Sequence, residues 1–247
     1  MRNKIFSVLK IIIPIIFWFS VWQLFAILAD NSYFFPTVSE TCSALLAILA
    51  SAATYKIVGL TLFRVTLGLI LGIIFGCLLA VVSNRLAAVR ITVSPLISMI
   101  KSTPVATFII ILYVIMRGDI LPVFIAFLMV LPLIWQNLTD GYDSIDENLS
   151  EVCDAYQFTY RKRFKYLVLP ALLKYLIPAV ITASGLAWKA EISAEIIVNT
   201  VDSIGAMIYN AQYAFDTARA FAWTLIIIFM SIILEITAKK ALGRYKK

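Results

Sequence analysis

Long apolar stretches recur along this chain, each about as long as a helix that crosses a lipid bilayer. Such a helix needs about 20 apolar residues, and it satisfies its own backbone hydrogen bonds where no water is available. We predict six spans, at residues 5–29, 57–82, 91–116, 119–137, 167–190 and 219–238. The sequence therefore predicts an all-α, polytopic membrane protein with one transmembrane domain over residues 1–247.

Composition and residue inventory exclude several classes of function. Apolar residues make up 62% of the chain and charged residues only 14%, so most of it belongs in lipid. The chain has no histidine, and its three cysteines are far apart, which leaves no metal-ligand spacing and no familiar catalytic set. It also lacks the glycine-rich P-loop of ATPases. We therefore expect no catalytic residues, no metal and no cofactor bound by this chain.

The basic residues fix the expected orientation. A net charge of +7 could indicate nucleic-acid binding, but the lysines and arginines lie between the spans rather than on one surface. Positively charged loops stay on the cytoplasmic side, so we predict that both termini are cytoplasmic and that no nucleic acid binds. The residues assigned to that side are Arg2, Lys4, Lys10, Arg85, Arg90, Arg161, Lys162, Arg163, Lys165, Lys239, Lys240, Arg244, Lys246 and Lys247.

Two local patterns predict how the spans are built. Gly68, Gly72 and Gly76 form a doubled G-x-x-x-G pattern that lets another helix approach closely. The pattern favours packing within the chain over a contact between subunits. Pro104 follows Ser102 and Thr103 inside the third span, which predicts a broken helix whose freed carbonyl is bonded by hydroxyls. Arg117, Gly118 and Asp119 predict a tight hairpin to the fourth span.

A charged insert at residues 144–165 separates the fourth and fifth spans. Ser144 and Glu147 fit a capping box that opens a helix. Apolar side chains then recur at helical spacing, which predicts one amphipathic helix outside the bilayer; they are Ile145, Leu149, Val152, Tyr156 and Tyr160. Pro170 is predicted to begin the next helix, where its missing N–H does least harm. From composition, a helix lying on the membrane and a docking element for a soluble partner remain equally open.

The insert resembles a motif of ABC-importer permeases, E-A-A…G…L-P. Glu151 matches the glutamate, Val152 and Cys153 the two alanines, and Leu169–Pro170 the final pair. The resemblance implies that residues 144–165 dock on an ATPase subunit; the motif segment also includes Ala155, Tyr156 and Gln157. Gln157 stands where the family has glycine. A left-handed glutamine would cost about 1–2 kcal/mol, so we expect a turn of different shape there.

Further stretches resemble the nitrate, sulfonate and taurine branch of that family. They are Phe35–Glu40, Thr61–Val65, Ala187–Trp188 with Ala194–Glu195, and Ser203–Gly205 with Tyr209. The resemblance implies a type I ABC-importer permease in a bacterial cytoplasmic membrane. It also implies a permease homodimer, two cytoplasmic ATPase subunits that carry ATP, and an extracytoplasmic solute-binding protein. Substrates implied are small anions such as nitrate, sulfonates or taurine, or thiamine-precursor pyrimidines.

Charged and aromatic residues within the spans are candidates for the translocation pathway, because charge is costly in lipid. They are Arg64, Lys101, Trp135, Trp188, Glu191 and Glu195. Ordinary packing, buried ion pairs or side chains that reach the interface explain the same residues. The resemblance places Glu195 in a structural signature near the outer gate.

Two other classes of function make different demands on the sequence. An ion-driven secondary transporter predicts an inverted internal repeat and midplane carboxylates, whereas the acids here cluster in loops. A membrane scaffold or intramembrane enzyme is the third class. The enzyme form has no believable set of catalytic residues.

Overall fold

A computed structural model describes residues 2–29, 31, 33–116 and 118–243, with side chains from Ile13 onward. Arg117, residues 244–247 and the side chains of the N-terminal basic residues lie outside the described residues. Within these ranges the chain is helical and has no strand. The helices are α1 (Arg2–Ala29), α2 (Val38–Ala50), α3 (Ala52–Arg85), α4 (Ala87–Ser102), α5 (Val105–Ile115), α6 (Ile120–Asp143), α7 (Glu147–Ala155), α8 (Tyr160–Arg163), α9 (Leu169–Val198), α10 (Ile204–Tyr213) and α11 (Thr217–Gly243).

Among the residues that the structure describes, four stretches of helix are long and apolar enough to cross a membrane, and the bent pair α4–α5 would make a fifth. These stretches are α3, α6, α11 and the run Tyr160–Val198 that includes α9. The predicted first span falls within α1. The real helices extend beyond the predicted bounds, most clearly in α9, which continues past residue 190 to Val198 despite Pro178 and Gly185. The count of six spans stays a prediction.

The third predicted span, 91–116, is divided into two helices. Helices α4 and α5 meet at an angle of 106°, with the break at Thr103 and Pro104. The hydroxyl of Thr103 donates to the carbonyl oxygen of Met99 at 2.7 Å, and Ser102 donates to the same oxygen at 3.2 Å. The predicted proline break, with hydroxyls bonding the last turn, is therefore confirmed.

Two helices were not anticipated from the sequence. Helix α2 begins at a capping box in which the Thr37 hydroxyl accepts from the Glu40 amide, and the Glu40 carboxylate accepts from the Thr37 amide at 2.8 Å. Helix α10 covers most of the stretch from Ser203 to Tyr209 that carried the family resemblance, and the Ser203 side chain caps it. Both helices lack the length of a span, which is why hydropathy alone did not single them out.

The glycine seam of α3 packs against α6 of the same chain. A Cβ atom added at Gly72 would lie 2.6 Å from the side chain of Val130. Added at Gly68 it would lie 2.6 Å from the carbonyl oxygen of Val123, and at Gly76 2.8 Å from Ile134. The intramolecular interpretation of the G-x-x-x-G pattern is confirmed.

We predict that Gly72→Ala destabilises the protein by about 1–3 kcal/mol, because the new methyl group forces α3 and α6 apart. Gly59→Ala is the matched control: Gly59 lies on α3, and no atom of the described residues lies within 4 Å of an added Cβ. Thermal unfolding in detergent should show a lower midpoint for Gly72→Ala than for wild type. The midpoint of Gly59→Ala should not be lowered. Equal midpoints would mean that this seam does not hold the two helices together.

Helices α3, α6 and α9 form the center of the bundle. Trp135 on α6 is buried and donates from Nε1 to the hydroxyl of Ser83 on α3 at 3.0 Å. At Gly141 an added Cβ would lie 3.2 Å from Leu172 and 3.3 Å from Tyr175, so α6 and α9 are close there. This core leaves one end of the bundle to the segment 144–168 and the other to α10.

Candidate functional site

Sequence motifs that lie far apart meet around the carboxylate of Glu195 on α9. Thr61 on α3 donates to both of its oxygens, at 2.9 and 3.1 Å. Arg64, one turn further along α3, donates from Nη1 at 3.1 Å. Thr61 and Glu195 are fully buried and Arg64 is 6% exposed. A buried ion pair needs hydrogen bonds to its remaining polar groups to offset the cost of burial, and the Thr61 hydroxyl supplies such a bond to the Glu195 carboxylate.

The guanidinium of Arg64 joins several parts of the chain. Its Nη2 donates to Asp119 at 3.0 Å, just before α6, and to the carbonyl oxygen of Val201 at 3.2 Å. Its Nη1 also reaches the carbonyl oxygen of Asp202 at 3.4 Å. One side chain therefore ties α3, α9, the start of α6 and the loop before α10.

The N-terminus of α10 completes the site. The Gly205 amide donates to Glu195 at 3.1 Å, and the Ile204 amide donates to the Thr61 hydroxyl at 3.2 Å. Helix N-termini stabilise negative charge, so the start of α10 is a favourable place for a carboxylate. A Cβ on Gly205 would meet the Ile196 amide nitrogen at 2.5 Å, which is why glycine stands there.

The other pathway candidates lie in two different settings. Trp188 and Glu191 are buried on α9, at 1% and 0% exposure, and among the described residues no partner hydrogen-bonds either oxygen of Glu191. Trp135 is buried in the core described above. Lys101, by contrast, is exposed in the last turn of α4, beside the break. The assignment of all six residues to a pathway stays a prediction.

The charged insert folds differently from the predicted capped helix. Ser144 ends α6, and the cap of α7 is Asp146, whose carboxylate accepts from the Asn148 amide at 2.9 Å. The capping box predicted at Ser144 and Glu147 is wrong. The single amphipathic helix is wrong as well, since α7 ends at Ala155.

The turn after α7 is left-handed at Gln157, with φ of 47°. The Phe158 amide then donates to the carbonyl oxygen of Cys153 at 2.9 Å, a bond typical of a helix C-terminus closed by a left-handed residue. The expectation of a differently shaped turn is therefore wrong. Glutamine occupies a conformation that glycine would adopt at lower cost.

We predict that Gln157→Gly stabilises this turn by about 1 kcal/mol, because glycine carries no Cβ penalty at positive φ. Exchange of the Phe158 amide hydrogen should slow about fivefold, since that amide closes the turn. Ala155→Gly is the control, because it lies in the helix and should speed the same exchange. Faster exchange in Gln157→Gly would contradict the idea that the glutamine is strained.

Beyond the turn, the chain re-enters the bundle without a stop. Helix α8 passes into a π-helical turn at Phe164–Val168, in which the Leu169 amide donates to the Phe164 carbonyl. Pro170 follows directly, near the start of α9. A proline ring clashes with the carbonyl four residues earlier, and the wider π turn gives it room.

The residues that match the permease motif lie mostly on the surface. Cys153 is buried and anchors α7, whereas Val152 is 50% and Tyr156 76% exposed. The remaining exposed motif residues are Glu151, Ala155, Gln157, Leu169 and Pro170. Arg163 of α8 binds Asp154 at 2.7 Å and also donates to Ser150, so the two short helices are held together. Leu149 and Val152 leave an apolar face uncovered.

The fold, the buried cluster around Glu195 and the exposed motif residues together define a class of protein. It is a multi-pass helical membrane protein with a structured, charged segment at one end of its bundle; this segment, the charged insert at residues 144–165, is called the charged connector below. Solved structures share this fold. An inward-facing structure of the MetNI methionine ABC transporter aligns over 77% of this chain and 93% of its own, with a TM-score of 0.60 and 16% identity. An amino acid ABC transporter solved with histidines aligns over 75% and 88%, with a TM-score of 0.58 and 17% identity.

Residues 68–240 match the family of binding-protein-dependent transport system inner membrane components. The chain belongs to this family, and it is a permease subunit of an ABC importer. It is 21% identical over 220 residues to the aliphatic sulfonates transport permease protein SsuC of Bacillus subtilis, across 84% of this chain and 75% of that one. It is 26% identical over 152 residues to the bicarbonate transport system permease protein CmpB of Synechococcus elongatus, across 61% of this chain and 55% of that one.

Proposed function

We propose that two copies of this chain form the translocation pathway of an ATP-driven importer for a small anion. Two ATPase subunits would dock from the cytoplasm, and a solute-binding protein would deliver the anion from the other side. ATP would be bound by those partner subunits. Both termini would lie in the cytoplasm of a bacterial-type cell, as the distribution of basic residues favours.

The observation that carries this proposal is the segment from Glu147 to Arg163. It forms two short helices outside the long apolar helices, and its exposed face includes Leu149, Val152 and Tyr156. Uncovered apolar surface away from lipid typically marks a protein contact. Closure of the ATPases would push on this segment, and the continuous run from Tyr160 to Val198 would carry the motion to the region of Arg64 and Glu195.

The anionic substrate class rests on two lines of support. Two similar permeases are named for aliphatic sulfonates and for bicarbonate. In this chain, Lys101 is exposed at the α4–α5 break, where Ser102 and Thr103 also lie. A cation beside hydroxyls at a broken helix suits an anion in transit. We therefore assign Lys101 to the pathway, and Arg64 with Glu195 to holding the outer end of the bundle.

Uptake into proteoliposomes tests the proposal. The chain is reconstituted with its ATPase subunit and binding protein. Labelled sulfonate and bicarbonate are then added on the side of the binding protein, with ATP on the side of the ATPase subunits. We expect uptake of at least one anion that needs hydrolysable ATP and persists when ionophores collapse ion gradients. Uptake that stops with the gradients and ignores ATP would establish an ion-driven secondary transporter instead.

A further inference from the structure

A cavity of about 480 Å³ opens where the charged connector meets the bundle. It lies between the C-terminal part of α3, the end of α6, and α8 with the π turn that follows it. Its polar side chains are Asn84, Arg85, Tyr142, Tyr160 and Arg163. Its apolar side chains, Val81, Phe164 and Val168, come from α3 and from the segment that follows α8.

Arg85 gives the cavity a positive charge that no carboxylate of the described residues neutralises. Its Nη2 donates to the Tyr160 hydroxyl at 2.5 Å, and its guanidinium lies 5.8 Å from the center of that ring. No carboxylate within the described part of the chain forms an ion pair with it. Arg163 is different, because Asp154 binds it at 2.7 Å. The cavity therefore offers one uncompensated guanidinium beside phenolic hydroxyls.

The apolar part of the cavity continues into the outer face of α3. Val81 lines the cavity and is 37% exposed, and Leu78 and Ile74 lie one and two turns earlier, at 57% and 48% exposure. Their spacing to Arg85 places all four on one stripe of the helix. The stripe is about 16 Å long, close to half of the hydrocarbon core of a bilayer.

We propose that this cavity, the Arg85 pocket, binds an anionic phospholipid. The phosphate would lie against Arg85 and the hydroxyls of Tyr142 and Tyr160, and an acyl chain would follow the stripe of α3. Basic pockets between spanning helices on the cytoplasmic side are typical sites for acidic headgroups. A free phosphate ion would use the arginine but leave the apolar stripe without an occupant.

The bound lipid would act on the connector itself. Tyr160 begins α8, and Phe164 and Val168 of the following π turn also line the cavity. A phospholipid there would brace the start of the run that re-enters the bundle. The inference concerns lipid and not the ATPase, and it rests on the proposed function only for the cytoplasmic position of the pocket.

Native mass spectrometry of the purified transporter complex tests the proposal. The complex is taken from membranes containing phosphatidylglycerol and phosphatidylethanolamine. Wild type should retain the anionic lipid over the zwitterionic one, and Arg85→Gln should retain about fivefold less. Arg85→Lys, which keeps the charge, should restore most of the retention. Arg161→Gln is the matched control, since Arg161 is an exposed base on α8 that does not line the cavity.

Three results would overturn the proposal. Wild type could retain both lipids equally, or Arg161→Gln could lose as much lipid as Arg85→Gln, which would indicate diffuse surface charge. Inorganic phosphate at millimolar concentration could also displace the lipid, which would identify a phosphate site instead. Recovery of the ATPase subunit is measured in the same samples, so a failure of lipid binding with the ATPase still present leaves the proposed function intact.

Discussion

Arg64→Met should destabilise the folded permease by about 3–5 kcal/mol, because it leaves the carboxylate of Glu195 buried without its charge partner. Methionine keeps much of the side-chain length, so the cavity contribution is small. The same change removes the bonds to Asp119 and to the carbonyl oxygen of Val201. Chemical unfolding in detergent, followed by tryptophan fluorescence, should show the loss directly.

Two further variants separate the buried pair from general damage. The double variant Arg64→Met with Glu195→Gln removes both charges and should lose less stability than the two single variants added together. Arg219→Met is the control, because its partnership with Asp216 is exposed and is worth about 0–1 kcal/mol. If Arg64→Met and Arg219→Met unfold alike, the buried pair does not hold the fold.

Glu151→Lys should abolish co-purification with the ATPase subunit and ATP-driven uptake, without unfolding the chain. Glu151 is exposed on α7 and forms no ion pair within the described residues, so its loss removes little internal stabilisation. A reversed charge at a docking surface opposes the partner, and like charges brought together there cost several kcal/mol. Affinity purification from mild detergent measures the first effect, and proteoliposome uptake measures the second.

Glu151→Gln separates loss of charge from repulsion, and should weaken the association less than the lysine variant. Gln212→Lys introduces a lysine at an exposed position on α10, at the opposite end of the bundle, and should leave association unchanged. Full recovery of the ATPase subunit with Glu151→Lys would show that this glutamate is not part of the docking surface.

Hydropathy predicted the long apolar helices, and glycine spacing predicted the close packing of α3 on another helix. Gly68, Gly72 and Gly76 recur at helical spacing and so lie on one face of α3. A face made of such small residues typically packs closely against another helix. The positions of Arg64 and Glu195 were recognisable as costly charges. Their partnership was not, because residues 131 positions apart meet only through the packing of α3 on α9.

Local capping patterns gave a wrong prediction at one of two similar sites. The S-x-x-E pattern at Ser144 is not a cap, whereas the T-x-x-E pattern at Thr37 is a complete capping box. The difference is that Ser144 still belongs to the end of α6. At Gln157 the cost of a left-handed glutamine led to the wrong prediction of a different turn. The conformation is tolerated because the Phe158 amide bonds Cys153 and Arg163 bonds Asp154, which holds the turn in place.

Site-specific photo-crosslinking tests the docking of the connector most directly. A photoreactive amino acid replaces Tyr156, which is 76% exposed beside the turn, in cells that also express the ATPase subunit and binding protein. The matched position is Tyr213, which is 81% exposed at the end of α10. We predict a crosslink to the ATPase subunit from position 156 and none from position 213. A crosslink to the ATPase from position 213 alone would contradict the proposed coupling segment.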